Sequence, residues 1–278
     1  MARSSPRSAL RPASTGWSTL HRHHIGVDVG GTRTKYSAVD MADGSLTTPV
    51  LQRPTPGPAT PEAVAAQLEL VVAELSGTAS APDPEASVGV ALPTILRQGV
   101  ACSAANIDDA WIGLDVRRFL TGALGRTVQV INDADAAGLA EVRYGAGRGS
   151  AGTVLLITLG TGIGSALIVD GKLVPNLELG HLELRGVDAE VRASALARER
   201  EGLDWPVYAE RLQEYLAHLE FLFSPDLIIV GGAISAQHEL FLPLLRLGAR
   251  VVPAELRDAA GIIGAARHAY LALPPAEA

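Results

Sequence analysis

The chain has 278 residues, of which 47% are hydrophobic, yet it contains only four Phe and three Trp. A core large enough for one big or two modest domains therefore has to be built mainly from Ala, Val, Leu and Ile. The formal net charge of −7 argues against nucleic acid and anionic membranes as partners, so an anionic substrate would need a local basic patch. The single cysteine, Cys102, cannot form an internal disulfide or a multi-cysteine zinc site, which favours a reducing, cytoplasmic location.

The first 20 residues contain Arg3, Arg7 and Arg11 but no acidic residue. They lack the continuous apolar segment of a secretory signal, and no apolar run in the chain approaches the roughly 18 residues of a membrane span. We predict that residues 1–23 form a disordered tail, with a polyanion-binding arm as the alternative.

The first half of the ordered chain alternates strands and helices. Residues 24–29 are apolar and lead into Gly30-Gly31, which predicts a buried strand that enters a tight turn. The elements predicted next are strands 35–40 and 46–52, a proline-rich linker 54–61, a helix from 61 to about 75, strand 88–92, helix 115–124 and strand 127–131.

The second half repeats this order after a predicted helix at residues 134–144. Strand 153–158 leads into Gly160-Thr161-Gly162. The elements that follow are strands 165–169 and 173–174, a helical region 189–223 interrupted near Gly202 and Pro206, strand 227–230 and helix 262–271. The repeated order predicts two similar α/β lobes, 24–131 and 132–261, with the last helix (262–273) packed back on the first lobe.

Three glycine-rich turns each follow a predicted buried strand. They are Gly30-Gly31-Thr32, Gly160-Thr161-Gly162 and Gly231-Gly232. Glycine lets a backbone approach phosphate closely, so its N–H groups can face the oxygens. The Walker A spacing is absent, and the first turn is followed by TRTK rather than by a helix start, as a dinucleotide-binding fold would require. The pattern indicates a phosphate donor held between two lobes.

Two carboxylates stand at the ends of predicted strands. Asp28 lies beside the first glycine turn, where it either holds Mg²⁺ through water or caps the turn. Asn132 and Asp133 open the helix at 134–144, where capping is the simpler explanation. The functional alternative is that Asp133 accepts the proton of a sugar hydroxyl while Asn132 binds a neighbouring hydroxyl.

The segment ELGH (178–181) combines a carboxylate, Glu178, with an imidazole, His181. Together they supply acceptors and donors suited to vicinal hydroxyls, although a surface loop would look the same. His181 is also a possible zinc ligand, but Cys102 is distant and has no second cysteine beside it. We therefore expect no zinc.

These segments together resemble the ROK family (repressors, open reading frames, kinases). The resemblance rests on DVGGTRTK (28–35), NIDDAW (106–111), INDAD (131–135), LGTGIG (159–164) and ELGH (178–181). It runs from about residue 25 to residue 266. RYGAG (143–147), VPNLELGH (174–181), FSPD (223–226) and VVPAELR (251–257) are similar to the subgroup that phosphorylates glucose from polyphosphate and often also from ATP.

The resemblance implies an actin-like (ribonuclease H-like) two-lobed sugar kinase fold, a homodimer and a role for each matched residue. Asp133 would be the catalytic base, with Mg²⁺ near Asp28. The hexose hydroxyls would be held by Asn106, Asn132, Glu178 and His181. The donor phosphates would meet Gly30, Gly31, Thr32 and Lys35 from one lobe and Gly160, Thr161 and Gly162 from the other, with Gly231 and Gly232 beside the nucleoside of ATP.

Two departures from the family pattern carry consequences. Residues 182–187 read LELRGV where many members have a CxCGxxGC zinc motif, and the polyphosphate subgroup also lacks that motif. Thr94 stands where a glycine usually follows proline, in a loop expected near the sugar, which affects sugar affinity or choice. Polyphosphate would require a track of cations, for which the candidates are Arg97, Arg143, Arg148, Lys172, Arg185 and Arg192.

Three alternatives remain open at this stage. The first is a strictly ATP-dependent hexokinase for glucose, mannose or an amino sugar. The second is a sugar-sensing regulator, although such members carry an N-terminal helix-turn-helix longer than residues 1–23. The third is a pseudokinase that binds sugar, which the presence of Asp28, Asp133, Glu178 and His181 disfavours.

Overall fold

The structure is a computed structural model that describes residues 22–273, apart from 79–81 and 83–85. The tail predicted at 1–23 therefore lies outside the described residues, except for its last two positions. Arg22 pairs with Asp40, and the first strand begins at His23, one residue before its predicted start.

The first lobe is built on a five-stranded sheet with the order β3-β2-β1-β4-β7. Its strands are β1 (His23–Val29), β2 (Arg33–Asp40), β3 (Leu51–Pro54), β4 (Val88–Leu92) and β7 (Val128–Asn132). Strands β1, β4 and β7 are parallel, whereas β2 and β3 run antiparallel in the hairpins that follow β1. A small hairpin, β5 (Leu96–Arg97) and β6 (Val100–Ala101), extends beyond the end of β4.

The second lobe repeats this topology with the order β10-β9-β8-β13-β14. Its strands are β8 (Thr153–Leu159), β9 (Ile163–Val169), β10 (Lys172–Val174), β13 (Leu227–Gly231) and β14 (Arg250–Pro253). A two-stranded hairpin, β11 (Glu183–Leu184) and β12 (Val187–Asp188), lies outside this sheet. The predicted repeat of strand, glycine turn and strand is therefore confirmed as a repeat of sheet topology.

Seven α-helices lie among the described residues. They are α1 (Pro61–Ser76), α2 (Val116–Leu124), α3 (Asp133–Tyr144), α4 (Ala189–Ala193), α5 (Ala195–Glu201), α6 (Trp205–Phe223) and α7 (Ala260–Leu271). Within this described part, no helix has both the length and the apolar character needed to cross a membrane.

The helical region 189–223, predicted with an interruption near Gly202 and Pro206, is three helices. Gly202 ends α5 in the left-handed conformation, with φ of 60°. Pro206, by contrast, lies in the first turn of α6, where proline needs no N–H partner. Asp204 caps α6 by accepting a hydrogen bond from the N–H of Val207.

Helices α3 and α7 join the two lobes. Helix α7 packs on β1, β4 and β7 of the first sheet and also crosses α3, which in turn packs on β8 and β9 of the second sheet. The two helices cross so closely at Gly264 of α7 that a Cβ there would lie 1.7 Å from the carbonyl oxygen of Ala136 in α3. This packing supports, as a proposal, the division into lobes 24–131 and 132–261 with the last helix on the first lobe.

Candidate active site

A cavity of about 180 Å³ lies where the two lobes meet. Its lining includes Asp28 from β1, Lys35 from β2, Asp133 from the start of α3, and Gly231 with Gly232 after β13. These predicted metal, base and donor residues, which come from both lobes, therefore share one cavity. The carboxyl ends of parallel strands meet there, which is the usual ligand-binding position in open α/β sheets.

Asp28 and Lys35 face each other across the hairpin of β1 and β2, at paired positions of the register. Burial, together with the charge of Asp133, raises the pKa of Asp28 to about 6. Lys35 Nζ lies 3.0 Å from Oδ1 of Asp258, a residue that the sequence did not suggest for the site. The lysine predicted to meet donor phosphates is therefore paired with a highly exposed carboxylate, which a phosphate oxygen could replace.

Asn132 and Asp133, at the start of α3, differ in what their side chains do. Asn132 is the N-cap, because its Oδ1 accepts hydrogen bonds from the N–H groups of Ala134 and Asp135 at 2.9 and 3.1 Å. The capping alternative therefore holds for Asn132. Burial raises the pKa of Asp133, although a hydrogen bond from the N–H of Ala134 opposes this shift. A desolvated carboxylate with a raised pKa suits a general base.

The second and third glycine turns are neighbours in space. Gly160 N–H bonds to the carbonyl oxygen of Gly162, which closes a tight turn between β8 and β9. Gly232 has φ of 84°, and a Cβ there would lie 2.2 Å from the carbonyl oxygen of Leu159. Only glycine fits so close to the end of β8. Thr161 is exposed at the tip of the second turn.

The first glycine turn, residues 30–32, follows Asp28 directly and is closed by a hydrogen bond from Gly30 N–H to the carbonyl of Arg33. Thr32 is exposed within it. Gly31 lies against Asn106, since a Cβ on Gly31 would be 2.8 Å from Cβ of Asn106. The structure thus brings a predicted donor residue and a predicted sugar residue together.

Asn106 is exposed and has φ of 60°. Its loop is anchored by Trp111, which is fully buried in the first lobe and donates its indole N–H to the carbonyl of Ala59 at 2.8 Å. Thr94, the departure from the family pattern, is also buried. Its hydroxyl donates to the carbonyl of Ser103, and its own carbonyl accepts from Nδ2 of Asn132. Thr94 therefore fastens this loop to the start of α3.

Glu178 immediately precedes a short 3₁₀ helix, Leu179–His181, and His181 is the last residue of that helix. Burial raises the pKa of Glu178, His181 opposes the shift, and the negative charge of Asp133 adds to it. Asp133 therefore lies within electrostatic reach of the predicted sugar ligands. His181 Nδ1 is 2.9 Å from Oδ2 of Asp188, and this contact raises the pKa of the imidazole. Nε2 remains as the ring nitrogen for another partner.

Several site residues were not predicted. Thr158 and Arg257 line the cavity with Asp258. Glu190 accepts a hydrogen bond from Ile163 N–H and lies against both Gly162 and Gly180, so it connects the second turn to the ELGH segment. Asp188 orients His181. Of these residues, only Arg257 and Asp258 could have been found from the sequence, because they form a charged pair just before the last helix.

The cavity suits Mg²⁺ but not a metal caged wholly by protein. Asp28 and Asp258 are oxygen ligands of the kind that Mg²⁺ prefers, and Mg²⁺ is usually bound through one or two carboxylates plus substrate phosphates. Over residues 22–273, with the two short gaps left out, no group of three or more His, Cys, Asp or Glu side chains could hold a metal ion. The expectation of no zinc site stays a prediction.

The chain belongs to the ROK family, whose model matches residues 24–191. It is 43% identical over 255 residues to the polyphosphate glucokinase of Mycobacterium tuberculosis, covering 91% of this chain and 94% of that protein. The crystal structure of the inorganic polyphosphate/ATP-glucomannokinase from Arthrobacter sp. strain KM is 58% identical, with a TM-score of 0.85 over 90% of this chain and 98% of the other.

A ROK family glucokinase from Streptomyces griseus, solved in complex with glucose and AMPPNP, is 27% identical with a TM-score of 0.76. The matched regions cover 90% of this chain and 99% of that one. The family resemblance found in the sequence and the predicted actin-like two-lobed fold are thereby confirmed.

Proposed function

We propose that the protein is a kinase that transfers a phosphoryl group to the 6-hydroxyl of glucose, with inorganic polyphosphate as donor and ATP as a second donor. The observation that carries this proposal is the shared cavity of Asp28, Lys35 and Asp133 beside the third glycine turn. The names of the relatives that are 43% and 58% identical support the choice of polyphosphate and glucose. We also propose a cytoplasmic location.

The acceptor side of the reaction depends on Asp133. Its carboxylate accepts the proton of the sugar 6-hydroxyl as that oxygen attacks the terminal phosphorus, and the bond from phosphorus to the leaving phosphate oxygen breaks. Glu178, His181 and Asn106 bind the other hydroxyls and orient the sugar. Asn132, whose Oδ1 is used by the helix cap and whose Nδ2 donates one N–H to the carbonyl of Thr94, has the second N–H of Nδ2 for a sugar oxygen.

The donor side depends on backbone N–H groups and Lys35. Gly30, Gly31 and Thr32 face the phosphates from the first lobe, and the turn at 160–162 faces them from the second. Gly231 and Gly232 lie beside the nucleoside when ATP is the donor. Mg²⁺ near Asp28, when bound, neutralises charge on the phosphates. Catalysis then rests on positioning and electrostatics.

The six cations considered for a polyphosphate track divide into two groups. Arg185 and Arg192 both pair with Glu214, and this shared carboxylate reduces their value for a polyanion. The other four form no ion pair within the described residues; they are Arg97, Arg143, Arg148 and Lys172. Steady-state rates with polyphosphate and with ATP as sole donors test the donor proposal, and an enzyme active only with ATP would contradict it.

Mannose is a second candidate acceptor, because the relative that is 58% identical is named a glucomannokinase. A panel of glucose, mannose and amino sugars crossed with both donors separates this from a glucose-specific enzyme.

The family also implies a homodimer, which light scattering after size-exclusion chromatography tests. Phe221, with 81% of its surface exposed on α6, is the most exposed large apolar side chain of the described residues.

Asp133→Asn is the test of the catalytic assignment. Because the amide keeps the shape but cannot accept the proton, turnover should fall by a factor on the order of 10² or more while glucose affinity is largely kept. Stopped assays with both donors and calorimetric titration of glucose measure the two effects. Near-normal turnover in this variant would refute the role of Asp133.

A further inference from the structure

Asn176 connects three parts of the site. Its side-chain Oδ1 accepts a hydrogen bond from the N–H of Leu96, and its Nδ2 donates to the carbonyl oxygen of the same residue, both at 2.8 Å. The carboxamide thus pairs with Leu96 of β5 as a neighbouring strand would. Leu96 belongs to the first lobe and Asn176 follows β10 of the second, so this pair spans the junction of the lobes.

The backbone of Asn176 makes the third connection. Its N–H donates to Oδ2 of Asp135 in the first turn of α3 at 2.8 Å. Asp135 is only 1% exposed. Its position two residues after Asp133 means that this hydrogen bond ties the segment to the same helix start as the proposed base.

The segment that Asn176 fixes is the one that carries the proposed sugar ligands. Glu178 lies two residues further on and His181 five. The hydroxyl of Ser165 on β9 holds the same stretch, since it donates to the carbonyl of Leu177 and accepts from the N–H of Leu179. Ser165 holds the stretch to its own lobe, whereas Asn176 is the residue that ties it to the other lobe.

The backbone of Asn176 adopts a conformation that has a cost for most side chains. Its φ is 62°, in the left-handed region that asparagine tolerates better than other non-glycine residues. Asparagine therefore satisfies two requirements at this position: the left-handed backbone and a side chain that both donates and accepts.

We propose that Asn176 is a positioning residue of the sugar site, which fixes Glu178 and His181 relative to Asp133 by bonding their segment to β5 and to α3. This inference rests on the proposed function, because it assumes that the ELGH segment binds the hexose. A sugar held by both lobes needs its ligands in one fixed register, and a misplacement of about 1 Å is enough to weaken binding and catalysis.

The test is Asn176→Gly, which keeps the left-handed backbone and removes only the carboxamide. The KM for glucose should rise on the order of tenfold, since two hydrogen bonds that order the loop are lost. The KM for ATP should stay within about twofold because the donor contacts are untouched. The matched control is Gln98→Gly. Gln98 lies in the turn between β5 and β6, is exposed, has φ of 54°, and makes no side-chain hydrogen bond among the described residues. This control should change neither constant.

Glu178→Gln distinguishes failure of the positioning role of Asn176 from failure of the sugar site at Glu178 and His181. If Glu178→Gln raises the KM for glucose and Asn176→Gly does not, the positioning role is wrong and the sugar site stands. If neither variant changes it, the assignment of the sugar site itself fails. An equal rise in the KM for glucose and the KM for ATP in Asn176→Gly, with a lower thermal midpoint, would mean that Asn176 is only structural.

A measurement on the unaltered protein covers the case in which Asn176→Gly does not fold. Glucose should slow amide hydrogen exchange in residues 94–97 and 175–181 together, because the carboxamide couples the two segments. Protection of 175–181 alone would overturn the proposal.

Discussion

Lys35 shows how one residue can depend on an unexpected neighbour. Its side chain is 26% exposed, and the ammonium pairs with Asp258, whose side chain is 85% exposed. An ion pair this open is weak, so a donor phosphate can take the place of the carboxylate. Lys35→Gln should therefore raise the KM for ATP on the order of tenfold and leave the KM for glucose nearly unchanged.

The chain contains a single other lysine, which supplies the control. Lys172 is exposed on β10, so Lys172→Gln should leave the KM for ATP as it is. The effect at Lys35 should also shrink as salt is added, because phosphate attraction at an open site is screened. Equal KM values for ATP in Lys35→Gln and the unaltered enzyme would rule out a contact between Lys35 and the donor.

Asp135 makes stability depend on pH. Burial, aided by the charge of Glu178, raises its pKa to about 7 from the ordinary value of 3.8. The folded protein thus keeps a proton that the unfolded chain has lost, so stability falls as pH rises from about 4 to about 7. Asp135→Asn removes this loss and should stabilise the protein by about 2–4 kcal/mol more at pH 8 than at pH 4.

Denaturant titrations of both proteins at the two pH values measure this difference. Asp170→Asn, in the exposed turn after β9, is the isosteric surface control. The amide at position 135 can still accept the N–H of Asn176, so sugar affinity should be kept. A stability gain of the same size at pH 4 and pH 8 would contradict the assignment to Asp135.

At the scale of secondary-structure elements, the close packing of α7 on α3 and on the first sheet depends on glycines. Beside the crossing at Gly264, Cβ atoms at Gly26 in β1 and Gly89 in β4 would lie 2.0 and 1.9 Å from carbonyl oxygens of α7. Gly264→Ala should therefore cost about 3 kcal/mol or more, since the helices must separate to admit one methyl group.

Gly122 provides the matched control for this substitution. It lies in α2, and a Cβ there would meet no atom within 4 Å. Gly122→Ala should stabilise the protein by about 0.5–1 kcal/mol, because alanine has the better helix propensity. Chemical denaturation measures both variants, and a Gly264→Ala protein as stable as the unaltered one would show that α3 and α7 have room to spare.

Local patterns in the sequence predicted the elements whose signal is local. The strands that enter the glycine turns and the start of α3 at Asn132-Asp133 are examples. Strand β3 begins at Leu51 rather than at residue 46, because Leu46 makes only an isolated bridge to Val39. In the helical region 189–223, the interruption predicted near Gly202 and Pro206 separates α5 from α6, whereas the break at Ser194 between α4 and α5 was not predicted.

Contacts between distant segments could not be predicted from local patterns. The pair of Asn176 and Leu96 joins residues 80 positions apart, and the bond of Lys35 to Asp258 joins residues 223 apart. Strand β14 pairs with β13 although its charged first residue, Arg250, gives it no continuous apolar run. The first two contacts depend on the packing of two lobes, and the third depends on strand pairing within the second sheet. Periodicity within one segment encodes neither.

At the scale of the whole molecule, the two lobes have the same sheet topology but separate hydrophobic cores. One core is centred on the first sheet with α1 and α2, and another on the second sheet with α6. Helices α3 and α7 contribute to smaller clusters between them. The cavity lies at this junction, so a ligand that contacts both lobes stabilises their relative arrangement.

The junction of α3 and α7 should make the two lobes unfold together. Because α7 is fastened to the first sheet and α3 to the second, loss of either lobe exposes the buried face that the helices share. Differential scanning calorimetry should give one transition whose calorimetric and van't Hoff enthalpies agree. In Gly264→Ala, where the crossing is loosened, the peak should broaden or split, and saturating glucose should narrow it again. Two well-separated transitions in the unaltered protein would mean that the lobes are energetically independent and that α3 and α7 do not couple them.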